Sequence, residues 1–266
     1  MTLRTVIEYI KAHRIKTLCL TVLCVLSAAY IFCLPADLFE GTSFSTVVTS
    51  REGELLGARI ADDGQWRFPP SDTVPERFSR CLIEFEDRYF RLHPGVNPVS
   101  AVRALKENIR SGRIVSGAST ITMQVIRMSR GKERNIRQKL TEAVLATRLE
   151  LRCSKDEILA LYAGHAPFGG NVVGLEAASW RYFGRSPEDL SWGEAAALAV
   201  LPNAPAAIHP GRNRDALKAK RDRHLRKLYD RGRIDSTTFV LSQEEPLPHA
   251  PLPLPDYAFH TVQNIH

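Results

Sequence analysis

Cysteine is sparse and poorly placed for metal chemistry. Five cysteines occur in 266 residues. None forms a CxxC pair or stands at ligand spacing from a histidine, which argues against a zinc site. Cys19, Cys24 and Cys33 fall in an apolar N-terminal run; Cys81 and Cys153 lie far apart among apolar neighbours, where buried free thiols are the simplest assignment. Internal repeats are absent, which excludes a solenoid or array. A disulfide framework is not needed either. The chain is 44% hydrophobic and 24% charged, an ordinary globular balance, and long enough for one large domain or two small ones with a sizeable core. Acidic residues are in deficit, 29 against 36 basic, a formal charge of +7. That balance favours anionic partners: phosphates, acidic lipid or nucleic acid.

Charge is missing altogether from Thr17 to Leu34. About 18 residues at roughly 1.5 Å each is just enough to cross a bilayer. Arg4, Lys11, Arg14 and Lys16 precede the run and would hold its N-terminal side in the cytoplasm. The expectation is a cytoplasmic tail over 1–16, a transmembrane anchor over 17–34, and everything after Pro35 on the far side. Ser27-Ala28-Ala29 offers a signal-peptide cleavage site, but the apolar run continues through Tyr30-Ile31-Phe32, which favours an uncleaved anchor.

The most informative stretch runs from Cys81 to Gly95, CLIEFEDRYFRLHPG. Phe78, Leu82 and Phe85 make one helical face. Glu86 sits at its edge, with one flank apolar and one open, where a carboxyl pKa rises toward the range of a general base. The plainer reading, that Glu86 and Asp87 are the solvated end of a surface helix, is the more common situation for charged residues. Pro75 suits the first turn of this helix, and Pro94, Gly95 and Pro98 stop it. Before it, Phe44 to Arg59 alternates around Arg51-Glu52-Gly53 and predicts two short strands, while Trp66 to Pro70 reads as irregular.

Val99, Val102, Leu105 and Ile109 line one face of a following basic amphipathic helix. It suits a membrane surface and equally a packed helix with a solvated face. A polar loop from Ser111 leads into Gly117-Ala118-Ser119-Thr120-Ile121-Thr122-Met123-Gln124, whose N–H groups and hydroxyls could hold phosphate oxygens or simply cap a helix. Arg127, Arg130, Lys132, Arg134, Arg137 and Lys139 crowd beside it, as at a pyrophosphate site or on a solvated basic face. A long helix over Gln138–Leu151 has Leu140, Val144, Thr147/Arg148 and Leu151 spaced along it, and Glu142 three residues after Lys139, the spacing of a surface ion pair. Ser154–Glu157 and Ser191–Glu194 are capping boxes. The second opens the apolar AAALAVL, expected to be buried. GHAPFGG (164–170) is a turn-rich loop, Asp215–Arg231 a last basic helix, and the Pro-rich 243–256 an extended linker.

Together these segments resemble the peptidoglycan glycosyltransferases of family 51, the transglycosylase module of class A penicillin-binding proteins. The resemblance covers roughly residues 75–235. EDRYFRLHPG (86–95), GASTITMQ (117–124), RQKLTE (137–142), SKDEILALY (154–162) and KRDRHL (220–225) match the family's five blocks in order. The variants MQ, APFGG and AVLPNAP are similar to its 1C branch. The resemblance implies a mainly α, lysozyme-like glycosyltransferase domain over 75–240. A short β-containing region (35–74) would precede it, and a linker (241–266) toward a second domain would follow. It implies a donor glycan on undecaprenyl pyrophosphate, lipid II as acceptor, and action at the outer face of the bacterial cytoplasmic membrane, in the periplasm, beside other cell-wall synthesis proteins.

By that resemblance Glu86 is the catalytic base and Glu142 the second carboxylate, which could position a divalent cation (Mg or Mn) or orient cationic side chains; a metal is not required. Asp87, Phe90, His93, Gly117, Ser119, Thr120, Thr122, Gln124, Arg127, Arg134, Arg137 and Lys139 fall at substrate-binding positions. The family's double Gln is Met123-Gln124 here, its following Lys is Arg127, its Arg-Lys pair is Gln138-Lys139 and an Asn of its fourth block is Gly164. These departures keep a catalytically degenerate lipid II-binding scaffold open as an alternative. A glycan-cleaving lysozyme-like enzyme is the other, although it would need neither the basic loop nor the anchor. Nucleic acid is disfavoured, because the basic residues would face away from the cytoplasm. Ser129-Arg-Gly-Lys132 fits SxxK, but no SxN or KTG motif follows, so transpeptidase chemistry is not expected.

Overall fold

The computed structural model describes residues 14–112, 117–132, 135–258 and 261. The expected tail (1–13), the centre of the polar loop (113–116) and Arg134 lie outside them. The chain divides into two compact units, residues 1–40 and 41–266.

The first unit contains helix α1, Arg14–Phe32. Most of its apolar side chains are exposed, among them Leu18, Leu23, Leu26 and Phe32. Among the described residues, no helix is long and apolar enough to cross a membrane, so the expected transmembrane segment is present as a helix without meeting that condition.

The second unit is mainly helical. Strands β1 (Thr46–Thr49) and β2 (Leu55–Arg59) form the expected hairpin, with Val47 opposite Ala58. Two segments read as loops from sequence pair instead. β3 (Trp66–Arg67) runs parallel to β5 (Val172–Val173), and β4 (Pro167–Gly169) runs antiparallel to it. Strands this short lack a legible alternation; the pairing comes from tertiary contact.

Helix α2 spans Glu76–Glu86. It ends eight residues before the expected Pro94 stop, because Asp87 swings out (φ −157°) to use its carboxylate elsewhere. Pro75 stands one position before the helix, as its N-cap. Helix α3 is Pro98–Ser111, α4 Ile121–Arg130, α5 Ile136–Glu150 and α6 Lys155–His165. Then come α7 (Leu175–Phe183), α8 (Trp192–Val200), α9 (Arg214–Asp230) and α10 (Ser236–Glu244). Both capping boxes form as expected, at Ser154/Glu157 and Ser191/Glu194. Helix α8 is buried from Ala195 to Val200 and packs against α2, α9 and α10; its alanines permit that close approach on several sides. Helices α7 and α10 were not anticipated; their polar and apolar residues do not sort into a clean stripe.

Two expected faces are reversed or left open. On α5, Leu140, Val144 and Leu151 point outward, Leu140 with 66% of its surface exposed, while Glu142, Leu145, Ala146 and Leu149 face inward. The stripe chosen from sequence was one of two available, and the packing of α5 on α4 selects the other. On α3, Val99, Val102 and Ile109 are exposed, and Ala104 turns into the core. The Pro-rich end is extended but is not a free linker. Leu247 is buried, Arg221 donates to Glu245 O and Gln243 O, and Tyr257 N–H donates to Leu56 O at 2.8 Å.

Gly95 lies against α5 with φ +86°, and a Cβ there would stand 2.6 Å from the Ala146 carbonyl oxygen. Both its left-handed backbone and this contact exclude a side chain. Gly95→Ala should lose about 1–3 kcal/mol in urea denaturation, whereas Gly117→Ala, where the space is open, should leave the midpoint unchanged.

Candidate active site

The site forms where the end of α2 meets the start of α4. Asp87, just past α2, is buried. Both of its oxygens accept from His93 Nε2 (3.0 and 2.9 Å), and Oδ2 also accepts the Ile121 N–H at 3.2 Å. A carboxylate at the first turn of α4 satisfies a free N–H and suits the helix dipole. Thr120 caps the same helix, accepting from Met123 N–H, and donates to Gly95 O at 2.6 Å. The acidic block and the Ser-Thr block are thereby held together by short polar contacts.

That docking sets Glu86 opposite Gln124. Gln124 Nε2 donates to Glu86 Oε2 at 2.7 Å, and Glu86 Oε1 is buried without a partner among the described residues. Burial pushes the Glu86 carboxyl above its usual range. The Gln124 hydrogen bond and the Lys220 charge oppose the rise, the Asp87 charge adds to it, and Arg127 opposes it. The raised pKa anticipated from sequence is present, and its leading cause is desolvation. Burial draws the Lys220 ammonium down, with the Glu86 charge opposing. It donates to Val200 O (3.0 Å) and Asn203 Oδ1 (2.9 Å) and lies over the Phe85 ring. Tyr162 is a neighbour that sequence reasoning missed as a site group. Its hydroxyl is buried without a partner among the described residues, and burial, then the Glu86 charge, hold its phenol protonated.

Glu142 faces inward at 5% exposure and meets Arg127, not Lys139. Arg127 Nε and Nη2 donate to its two oxygens at 3.1 and 2.8 Å, and Nη2 also reaches Ser119 Oγ at 3.0 Å. This is a bidentate pair, stronger and more directional than a surface contact. Both Glu142 oxygens are thus engaged, and among the described residues no group of three His, Cys, Asp or Glu is arranged to hold a metal ion. The donor set does not fit the divalent cation considered from the sequence; the fit is to a guanidinium.

An open cleft of about 440 Å³ borders Glu86 and is lined by Ser119, Gly117, Arg88, Arg103, Lys227 and Arg231, among others. Its cations suit an anionic ligand. Other expected substrate positions lie elsewhere. Phe90 is fully buried, His93 is committed to Asp87, and Thr122 is fully buried, donating to Glu150 Oε1 at 2.5 Å. Lys155 joins the same scaffold by donating to Glu150 Oε1 and His93 O, both at 2.7 Å. The side chains of Phe90, His93 and Thr122 are buried in the scaffold behind the cleft. Arg137 and Lys139 are exposed on α5. Of the departures, Met123 is a core residue, and Gln138 accepts from Arg130 at 3.3 Å. Gly164 lies under Pro70, where a Cβ would approach to 2.7 Å. Packing accounts for the glycine.

A family model described as Transglycosylase matches residues 52–229. The chain belongs to that family, the family 51 transglycosylase module of class A penicillin-binding proteins. It is 43% identical over 214 residues to penicillin-binding protein 1C of Escherichia coli (strain K12), covering 80% of this chain and 28% of that protein. It is 37% identical over 177 residues to penicillin-binding protein 1A of Aquifex aeolicus (strain VF5), covering 66% and 24%. A crystal structure of penicillin-binding protein 1A from Haemophilus influenzae aligns with TM-score 0.45 at 20% identity, over 83% of this chain and 24% of that one. The chain therefore spans about a quarter of the length of the relatives it matches.

Replacing Gln124 by Leu removes the donor that favours ionised Glu86. The Glu86 pKa should then rise further, read by side-chain carbon NMR titration of the full chain; an unmoved value would show that this hydrogen bond does not tune the carboxyl.

Proposed function

We propose that this chain is a peptidoglycan glycosyltransferase, joining lipid II units into glycan strands. The observation that carries the proposal is Glu86: a desolvated carboxyl with one oxygen held by Gln124, the other unpartnered among the described residues, and a cation-lined cleft beside it. Glu86 would take the proton from the acceptor 4-hydroxyl as that oxygen attacks the donor's anomeric carbon. The new C–O bond forms from the face opposite the departing undecaprenyl pyrophosphate, so configuration inverts. A base with a raised pKa is matched to proton abstraction near neutral pH.

The leaving pyrophosphate needs preorganised donors. Arg127 is suited to that part because Glu142 and Ser119 already fix its guanidinium. In this reading Glu142 orients a cation and no step requires a metal. The Thr120 cap of α4 and the buried Asp87 keep the groups in register, so little reorganisation remains for the chemical step.

The proposal extends to location. Lipid-linked substrates arrive at a membrane, and two features suit attachment there: the uncharged run Thr17–Leu34, with its exposed side chains on α1, and the exposed Val99, Val102 and Ile109 on α3. The attached face would be the periplasmic side of the cytoplasmic membrane, where other cell-wall synthesis proteins are the expected neighbours.

Detergent-solubilised chain given labelled lipid II should produce glycan ladders on gels, and moenomycin, an inhibitor of the family, should suppress them. Glu86→Gln should abolish the ladders and leave lipid II binding largely intact; normal ladders from that variant would remove the general-base role. Because the folded carboxyl titrates above its usual value, ionising it costs the native state stability as pH rises through that range. The same variant should therefore melt no lower than wild type at pH 8. Deleting 17–34 should move the protein from the carbonate-resistant membrane pellet to the supernatant; unchanged pelleting would exclude that run as the attachment.

A further inference from the structure

Away from Glu86, a groove of about 330 Å³ opens between the β1–β2 hairpin and α7. Its lining is mixed: Val47, Leu55, Phe68, Pro70 and the Trp180 side chain stand beside the polar Thr49, Ser71 and Ser186. Glu176, in the first turn of α7, also lines the groove and a small adjoining recess. It has neither an ion pair nor a hydrogen bond to its side chain among the described residues. The charge that bears on it is Glu188, a second carboxylate. The cations on this helix and just past its end are engaged elsewhere. Arg181 lies over the Trp66 ring and donates to Leu252 O, and Arg185 pairs with Glu194. On the hairpin side, Arg51, Glu52 and Glu54 are exposed.

We infer that this groove binds the side chain of a lysine-type residue in a peptide, with its ammonium on Glu176 and its aliphatic stem along the apolar side chains of the lining. A carboxylate left without a cation beside apolar side chains, with a second acid adding to the field, is complementary to a positive charge carried on a hydrocarbon stem. An aromatic wall adds a favourable surface for the ammonium. The peptide character follows from β1. Among the described residues its sheet partner is β2 alone, so its outer edge can accept an extended backbone while the groove takes a side chain. The site is separate from the Glu86 cleft and does not rest on glycosyl transfer.

The pH dependence follows. Burial, and then the Glu188 charge, raise the Glu176 carboxyl to about 7. The ammonium needs the ionised form, so affinity should fall about tenfold between pH 8 and pH 6, in proportion to the competent fraction.

The test is an NMR titration of the full chain with Nα-acetyl-lysine methylamide, with the norleucine analogue as the uncharged control. The lysine probe should shift the Trp180 indole and the Val47 and Leu55 methyls at pH 8, at least tenfold more tightly than norleucine. Glu176→Gln should erase that preference while polymerising lipid II as wild type does. Should that variant fail to fold, the pH 8 to pH 6 comparison on wild-type protein carries the test. Equal binding of the two probes, shifts that ignore pH, or no shifts at tens of millimolar probe would each overturn the assignment.

Discussion

Everything at the Glu86 site depends on one buried carboxylate that does no chemistry in the proposed reaction. Asp87 accepts from His93 and from the first N–H of α4. A carboxyl group so enclosed is tolerable only when its oxygens are satisfied. Those contacts end α2 at Glu86 and hold the N-terminus of α4 against Asp87, one residue past Glu86 in the chain. Glu86 and Gln124 are placed by that junction, and Arg127, one turn further along α4, is placed with them. Loosening Asp87 would move the base and the cation together.

The same economy recurs behind the cleft. Thr122, Glu150, Lys155 and the His93 carbonyl form a connected polar scaffold, each member satisfied by another. It joins α4, the end of α5 and the start of α6 to the acidic block. A second set of contacts approaches from α9: His224 reaches Cys81 O at 2.9 Å, and Arg221 closes on the end of α10. Burial lowers His224 to about 4, so it is neutral at physiological pH and adds no charge behind Glu86. Desolvation keeps the Glu86 carboxyl raised against the opposing Gln124 hydrogen bond and Lys220 charge. Many of the motif residues thus do structural work; their chemical effect is the precision with which they hold Glu86 and Arg127.

Local signals survived well where they were short-range. Capping boxes need only four adjacent residues, and both appear as expected. The hairpin around Glu52-Gly53 and the all-apolar α8 were legible for the same reason. Elements decided by contact were not. The strands β3 to β5 contain too few residues to show a pattern. On α5 two faces were apolar enough to be buried, and the partnership of Arg127 with Glu142 belongs to the face the spacing argument did not choose. The burial of Thr122, His93 and Phe90 was not legible from the motif match that singled them out.

The sequence by itself determined the helical class, the two capping boxes and the family, because each is written in contiguous residues or in the order of motifs. Tertiary structure alone decided which of Glu86 and Glu142 is paired with a guanidinium, and what each acid meets. Those properties depend on distances between segments tens of residues apart: Glu86 to Gln124, and Arg127 to Glu142. A carboxylate's pKa and partners follow from what surrounds it in space, and linear spacing carries that information only within one helix turn.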